Sequence, residues 1–565
     1  MKSFALLALT GLLPLASATP VTPARPAPRP SVKPRPVEPR QDNGNSTAPC
    51  ARVSQAVYAD GTRPASPTVP AALAYECINS LPLNATSAKN LLKSMPTYIQ
   101  WQSTLNELKN PPAEYAEKVQ PPVDILGGLE KLSADIDAGK FTSEYEFGWA
   151  LYRLILSAHD GHFTYIPDSV GGIFSFGRNI PLVSVSEDGR KLPAIFAFDD
   201  VLGSQFKNIT YTPSPVVEID GQDVYKFLEN WSQYGSLQDR DALYNNVFYS
   251  PAQISLGTSG SGTGTFSGGG RGRLVYPGPT TTLKFANGTE ATIQNYARVL
   301  KSFRGINNAD DLAKTWFVYG GAAAVSQVSE PAQAVVGGAT PGYPPAVVAG
   351  PGNLINGFYI EDAGYEEYAV LQVPNFVGDV FAEIGFQQTT QRFIPQALAD
   401  GKTKLIIDLQ ANGGGTILQG YDMFKQLFPQ LDPYGAFRFR AHEAADLIGQ
   451  SFSAYGSRFP RVANSNATIR PIQASFFDYH ADMTVDGKPF SSWEEKYGPV
   501  QTRGGTHRIN LVYPCIRRLL TFCRLLYYNR TMEPQRCLHS VQLRRHQRHG
   551  IWTSGQCFPN GTFQG

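Results

Sequence analysis

The chain has 565 residues, of which 42% are hydrophobic and 17% charged, with a formal net charge of +2. That length implies about two to four domains of ordinary globular composition. The near balance of charge gives no reason to expect nucleic acid or strongly acidic partners.

Taken in chain order, Lys2, the apolar stretch Phe4–Leu15 and Ala16-Ser17-Ala18 form a short basic start, an apolar run and a small-x-small site. This predicts a secretory signal peptide over 1–18 and a secreted protein. No later apolar run reaches about 18 residues, so neither a membrane helix nor a tail anchor is expected. Residues 19–48 begin with a Pro-rich stretch carrying scattered Arg and Lys, and read as an extended linker or a pro-segment with Arg40 as a weak processing signal. Eight Asn-x-Ser/Thr acceptors, at Asn45, Asn84, Asn208, Asn230, Asn287, Asn466, Asn529 and Asn560, fit a secreted glycoprotein. Cys50 and Cys77 could pair in an oxidising compartment or stay as two buried thiols.

Residues 49–180 read as mostly helical, with apolar residues at helical spacing in Ala88–Trp101, Ile125–Ala138 and Ser143–Leu156. The last of these runs into Ser157-Ala158-His159-Asp160-Gly161-His162-Phe163. Two His flanking Asp-Gly suggest a turn that could present an imidazole as a base. The plain alternative is a capping Asp with both His satisfied by backbone.

Residues 181–300 shift to β character. Val216-Val217-Glu218-Ile219-Asp220-Gly221-Gln222-Asp223-Val224 predicts a strand, a tight Asp-Gly turn, a second strand start and a short helix through Leu228. The Gly- and Ser-rich stretch 257–272 reads as a flexible loop. It lacks the Gly-Lys-Ser/Thr ending of a phosphate loop, which argues against nucleotide binding.

From about 301 strands and helices alternate. Strand Tyr368–Val373, helix Val380–Ala399 and strand Leu405–Leu409 predict a βαβ crossover and a largely parallel sheet. The last strand reads as buried. It leads into Gln410-Ala411-Asn412-Gly413-Gly414-Gly415, followed by a helical pattern over Tyr421–Phe428. Glycines leave backbone N–H groups unshielded, so the loop could hold an oxyanion. It could equally be a β-to-α turn with no chemistry.

Several chemistries are disfavoured. No Gly-x-Ser-x-Gly elbow occurs. His442-Glu443-Ala444-Ala445-Asp446 has Asp where a zinc-binding helix needs its second His. His159 and His162 lack a convincing third ligand, so no metal is expected. Residues 504–565 form an anomalous tail. Between His507 and His549 it holds nine Arg, no Lys and the single acid Glu533, and it has no Cys-x-x-Cys pair. It reads either as an Arg-rich surface segment or as a sequence with which this fold does not normally end, through a frame change or a misjoined exon.

Asp160-Gly161-His162, the turn Ile219–Val224 and Ile406–Gly415, in that order, resemble the C-terminal-processing (tail-specific, tricorn-core-like) serine peptidases. The likeness is strongest to the fungal secreted branch related to the chlamydial secreted protease, and it covers roughly 49–503. It implies a multidomain α/β protein with a helical N-terminal region (49–180), a PDZ-like β module (181–300) and a ClpP/crotonase-type catalytic core (301–503, incomplete). It implies that His162 is the general base, with His159 as the fallback. It also implies that amides at Gly413 or Gly414 form one side of an oxyanion hole, and that the PDZ-like module takes a peptide end as an added strand. A peptide or protein substrate is implied, with no metal or organic cofactor. Some fungal members sit in clusters making ribosomal peptide mycotoxins, which implies trimming of a precursor peptide. The family's Ser, in a small-residue turn opening a later helix, is not found. Ser540 and Ser554 lie in the tail, so a pseudo-peptidase that binds peptide without cleaving it is the alternative.

Overall fold

The computed structural model describes residues 48–317 and 343–429 apart from short breaks (60, 103, 187, 251, 252, 254–261, 379 and 411), together with residue 444 and four short strands between 483 and 508. The expected signal peptide, the Pro-rich segment, the zinc-like His442 stretch apart from Ala444, and Ser540 and Ser554 lie outside the described residues.

The first part runs α1 (Pro49–Val57), β1 (Thr68–Pro70), α2 (Ala71–Asn79), α3 (Ala85–Ile99), α4 (Leu105–Lys109), α5 (Ala113–Lys118), α6 (Ile125–Asp137), α7 (Glu144–Leu156) and α8 (Asp168–Gly171). The helices expected at 88–101, 125–138 and 143–156 are thus present as α3, α6 and α7. Side-chain caps set their starts. Asn84 accepts from Ser87 N–H at 3.0 Å, Asp124 from Gly127 N–H at 3.0 Å and Ser143 from Glu146 N–H at 3.1 Å. Leu92, Leu129, Ile136, Leu151 and Ile155 share one buried cluster, and each such side chain contributes about 2 kcal/mol by leaving water. Gly128 lets α6 meet α7 closely, because an added Cβ there would lie 2.3 Å from Leu154 Cδ1. Cys50 and Cys77 form a disulfide with Cα atoms 4.6 Å apart, tying α1 to α2. This resolves the choice left open above, and closing such a loop contributes about 3–4 kcal/mol in the chain-entropy account.

The middle part contains β2 (Phe174–Gly177), β3 (Leu182–Val185), β4 (Ala194–Ala197), α9 (Phe198–Gln205), β5 (Val216–Ile219), β6 (Gln222–Asp223), α10 (Val224–Ser232), α11 (Arg240–Asn245), β7 (Thr280–Phe285), β8 (Glu290–Gln294), β9 (Tyr296–Val299) and α12 (Ala309–Trp316). Sheet orders are β6-β5-β7-β8, β3-β4 and β1-β9-β2. The Asp220-Gly221 turn forms as expected, with φ of +50° and +74°, the left-handed pair that a two-residue hairpin needs. Asp223 then caps α10, accepting from Tyr225 N–H at 3.1 Å and Lys226 N–H at 3.0 Å.

The glycine-rich stretch differs from expectation. Its described part, from 262 onward, is packed. Phe266 is fully buried, and Trp231 Nε1 donates to Thr265 O at 3.1 Å. Here glycine serves close backbone approach rather than mobility.

In the last part β10 (Val348–Ala349), β11 (Asn356–Tyr359), β12 (Tyr368–Gln372) and β13 (Lys404–Asp408) form one sheet in that order. β12 and β13 are parallel, with Tyr368 opposite Lys404 and Gln372 opposite Asp408. The connection is α13 (Val380–Ala399), the crossover helix expected from the sequence. Its Phe386 and Phe393 are fully buried in the cluster with Ala369 and Leu371. Gly357 makes room for the Phe393 ring, which a Cβ would approach to 2.2 Å. The following helix is α14 (Ile417–Leu427), which begins four residues before the expected start at Tyr421. β13 is not the buried strand expected. Among the described residues it is the outermost strand of its sheet, so Ile406 is 41% exposed.

Candidate active site

α7 ends at the first candidate segment. Ser157 N–H donates to Arg153 O at 3.0 Å and His159 N–H to Leu156 O at 2.9 Å. His159 turns the chain with φ +47°, a left-handed conformation that His tolerates better than most residues. Its side chain is buried. Asp160 then builds the turn. Its Oδ1 accepts from the N–H groups of His162 at 2.9 Å and Phe163 at 3.3 Å, and its Oδ2 from Gln102 Nε2 at 3.1 Å. The capping role that the plain alternative gave to Asp160 is therefore present. Arg271, far along the chain, holds the other side: Nη2 donates to Gly161 O at 3.2 Å and Nη1 to Thr164 Oγ1 at 2.8 Å.

His162 stands at the surface beside this turn. Loss of solvent to the surrounding protein pushes its imidazole below the ordinary value. Asp160 opposes that shift and Arg271 adds to it. The ring is therefore held in the neutral form that can accept a proton near pH 7.

The second segment begins where β13 ends. Asp408 Oδ1 accepts from Gln410 N–H at 2.9 Å and Oδ2 from Tyr343 Oη at 2.9 Å. Burial first, and then the Asp408 charge, raises the Tyr343 phenol well above its usual range, so it stays a donor. Buried Asn412 organises the loop: Nδ2 donates to Val373 O and Oδ1 accepts from Gly414 N–H, both at 2.7 Å. Gly414 O in turn accepts from Phe376 N–H at 2.9 Å, and Thr416 N–H donates to Phe376 O at 3.1 Å. Thr416 Oγ1 donates to Glu383 Oε1 at 2.6 Å, pinning the start of α14 to α13.

The three glycines have different roles. Gly415, at φ +136°, lies so close to the chain at 376–377 that a Cβ would come within 2.5 Å of Phe376 C. Gly414, at φ +94°, gives its N–H to Asn412. Gly413 is exposed, and nothing lies within 4 Å of where its Cβ would be. A reacting oxygen could approach the loop at Gly413.

The two segments rest on separate supports. The contacts described for the His162 turn run to Gln102, Thr164 and Arg271, whereas those of the glycine loop run to 373–376 and Glu383. The sequence reading named His162, His159, Gly413 and Gly414 and gave no role to Gln102, Arg271, Asn412 or Glu383. Only Asn412 stood inside a motif. Arg271 joins the turn across 110 residues of sequence, a separation no local pattern reports.

A family model described as a CPAF-like PDZ domain matches residues 175–304. The proteins named Peptidase S41 family protein phomP1' and phomP1, both of Diaporthe leptostromiformis, are 30% identical over 393 residues, which is 67% of this chain and 57% of each relative. Peptidase S41 family protein ustP of Aspergillus flavus is 30% identical over 273 residues, 46% of this chain and 54% of the relative. The chain thus spans a little over half the length of the curated relatives it matches. A solved structure of mature CPAF complexed with lactacystin aligns with a TM-score of 0.39 at 14% identity, covering 70% of each chain. At that distance it adds nothing to the geometry of the two segments.

Proposed function

Because the chain belongs to the CPAF-related, S41-type peptidase family, we propose that it is a secreted serine-type endopeptidase. In this reading residues 1–18 are a signal peptide, 19–48 a linker or pro-segment, 49–180 a helical N-terminal region, 181–300 a PDZ-like module and 301–503 a ClpP/crotonase-type core. Residues 504–565 are an anomalous tail rich in Arg, Cys and His. The observation that carries the reading is the glycine loop. A strand end, a loop fixed by Asn412 and a helix start leave Gly413 exposed, where an amide donor to a developing oxyanion would be worth about 3–4 kcal/mol of barrier.

His162, held neutral, takes the proton of a Ser hydroxyl as the Ser attacks the peptide carbonyl. It returns that proton to the leaving amine, and water then hydrolyses the acyl-enzyme. Gly413 is the amide assigned to the oxyanion. Gly414 could join only if its N–H left Asn412. No residue is assigned as the nucleophile or as the triad acid. A precursor peptide of the ribosomal toxin type is the substrate suggested by the family likeness.

One observation favours a second reading. Residues 404–429, across the loop and into α14, contain no Ser. A peptide-binding relative without catalysis would keep the PDZ-like module and lose turnover. A fluorophosphonate probe separates the two. Labelling of the purified protein that disappears in His162→Ala supports the peptidase. A folded, unlabelled protein that still binds peptides establishes the binder.

A further inference from the structure

A cavity of about 310 Å³ adjoins the His162 turn, lined by Thr164, Ile166, Ser236, Asn246, Arg271 and Arg273 together with Gly270 and Leu274. That volume is at the small end of ligand sites. Its lining is chemically one-sided, with two guanidinium groups, three neutral polar side chains, two aliphatic ones and no acid.

The two arginines differ in use. Arg271 is tied down through Thr164 Oγ1 at 2.8 Å and Gly161 O at 3.2 Å. Arg273 is exposed. Burial raises the phenol of the fully buried Tyr152, and the charges of Arg271 and Arg273 act against that shift. Arg273 lies two residues from the fixed Arg271, on the same short turn Gly270–Leu274, so a ligand meets a partly pre-set pair of cations. A guanidinium presents donors in a planar fork that matches a carboxylate. Ile166 and Leu274 offer apolar contact beside it.

We propose that this cavity is a carboxylate-binding subsite that seats an acidic group of a peptide ligand, with Arg273 as its adjustable clamp and Arg271 as its fixed wall. The proposal deepens the peptide-directed function above by naming a feature of the ligand. It places a recognition point beside the His162 turn, built from residues on either side of that turn's arginine tether. The acid could be a peptide C-terminus or an Asp or Glu side chain, since the chemistry is shared.

The test is fluorescence anisotropy with the full chain and three labelled pentapeptides: Gly-Ser-Gly-Ala-Leu as the free acid, the same peptide amidated, and an amidated version with Glu in place of Ala. The free acid is expected to bind at least tenfold tighter than its amide, with the advantage lost in Arg273→Gln. Strong binding of the amidated Glu peptide would assign the subsite to side-chain carboxylates, and weak binding to chain ends. Acetate provides a peptide-free control. It should raise the melting temperature of the wild type and not that of R273Q. Equal binding of acid and both amides, or an acid preference and acetate shift that survive in R273Q, overturns the proposal. None of these readouts needs turnover. A protein that fails fluorophosphonate labelling yet discriminates the acids refutes the peptidase reading alone.

Discussion

The glycine stretch at 264–272 and the glycine loop at 413–415 look alike in composition and behave as opposites. In the first, an added Cβ would meet backbone nearly everywhere: Phe248 O at 2.3 Å from Gly264, Phe176 O at 2.5 Å from Gly268 and Thr265 O at 1.9 Å from Gly272. Glycine there allows main chain to lie against main chain. In the second, Gly415 is so confined, whereas Gly413 faces open space. The difference shows that a run of glycines carries no single meaning. What matters is whether the missing Cβ leaves room for the protein's own backbone or for something arriving from outside.

Substitutions can break or sharpen this contrast. The largest effect is expected for Gly264→Ala, which combines φ +71° with overlap on two carbonyls. It should lower stability by about 3 kcal/mol in chemical denaturation. Gly415→Ala should cost about 2 kcal/mol, with faster amide exchange at 412–416, because the loop must lift from Phe376. Asn412→Ala removes two bonds of 2.7 Å and should cost about 1–2 kcal/mol. Gly413→Ala should leave stability within about 0.5 kcal/mol while reducing fluorophosphonate labelling. A large loss of stability there would erase the distinction between the two stretches.

The smallest effect concerns His162. NMR titration should place its imidazole below the ordinary value, and Asp160→Asn should lower it further, since the Asp160 charge opposes the downward shift. A base with a depressed folded-state value contributes its stability above the unfolded value. That contribution fades as pH falls toward the folded value, so any change in stability belongs on the acid side of neutrality.

Much of the local architecture was legible. α6 and α7 announce themselves through apolar spacing and through Asp124 and Ser143 at their starts. The Asp220-Gly221 hairpin follows from two residues that tolerate positive φ. The crossover β12–α13–β13 was readable from strand and helix lengths. Pairings between distant segments were not, as where Val69 sits opposite Ala297 in β1 and β9. Nor could the sequence tell which loop amide is occupied, because that depends on how the Asn412 side chain points. The exposure of β13 follows from what lies beside it, and a strand's own letters do not record its neighbours.

The β1-β9-β2 sheet has a bearing on how this protein can be taken apart. β9, at the end of the PDZ-like segment, is flanked by β2 from that segment's beginning and by β1 from more than two hundred residues earlier. Ala71 N–H and Val299 N–H extend that seam at 3.0 and 2.9 Å to Asn295 O and Pro67 O. A fragment cut out at the limits of the family match would leave its final strand bare along one side and open to pairing with another copy. To travel as a portable unit, the segment would have to bring the short stretch 67–71 along.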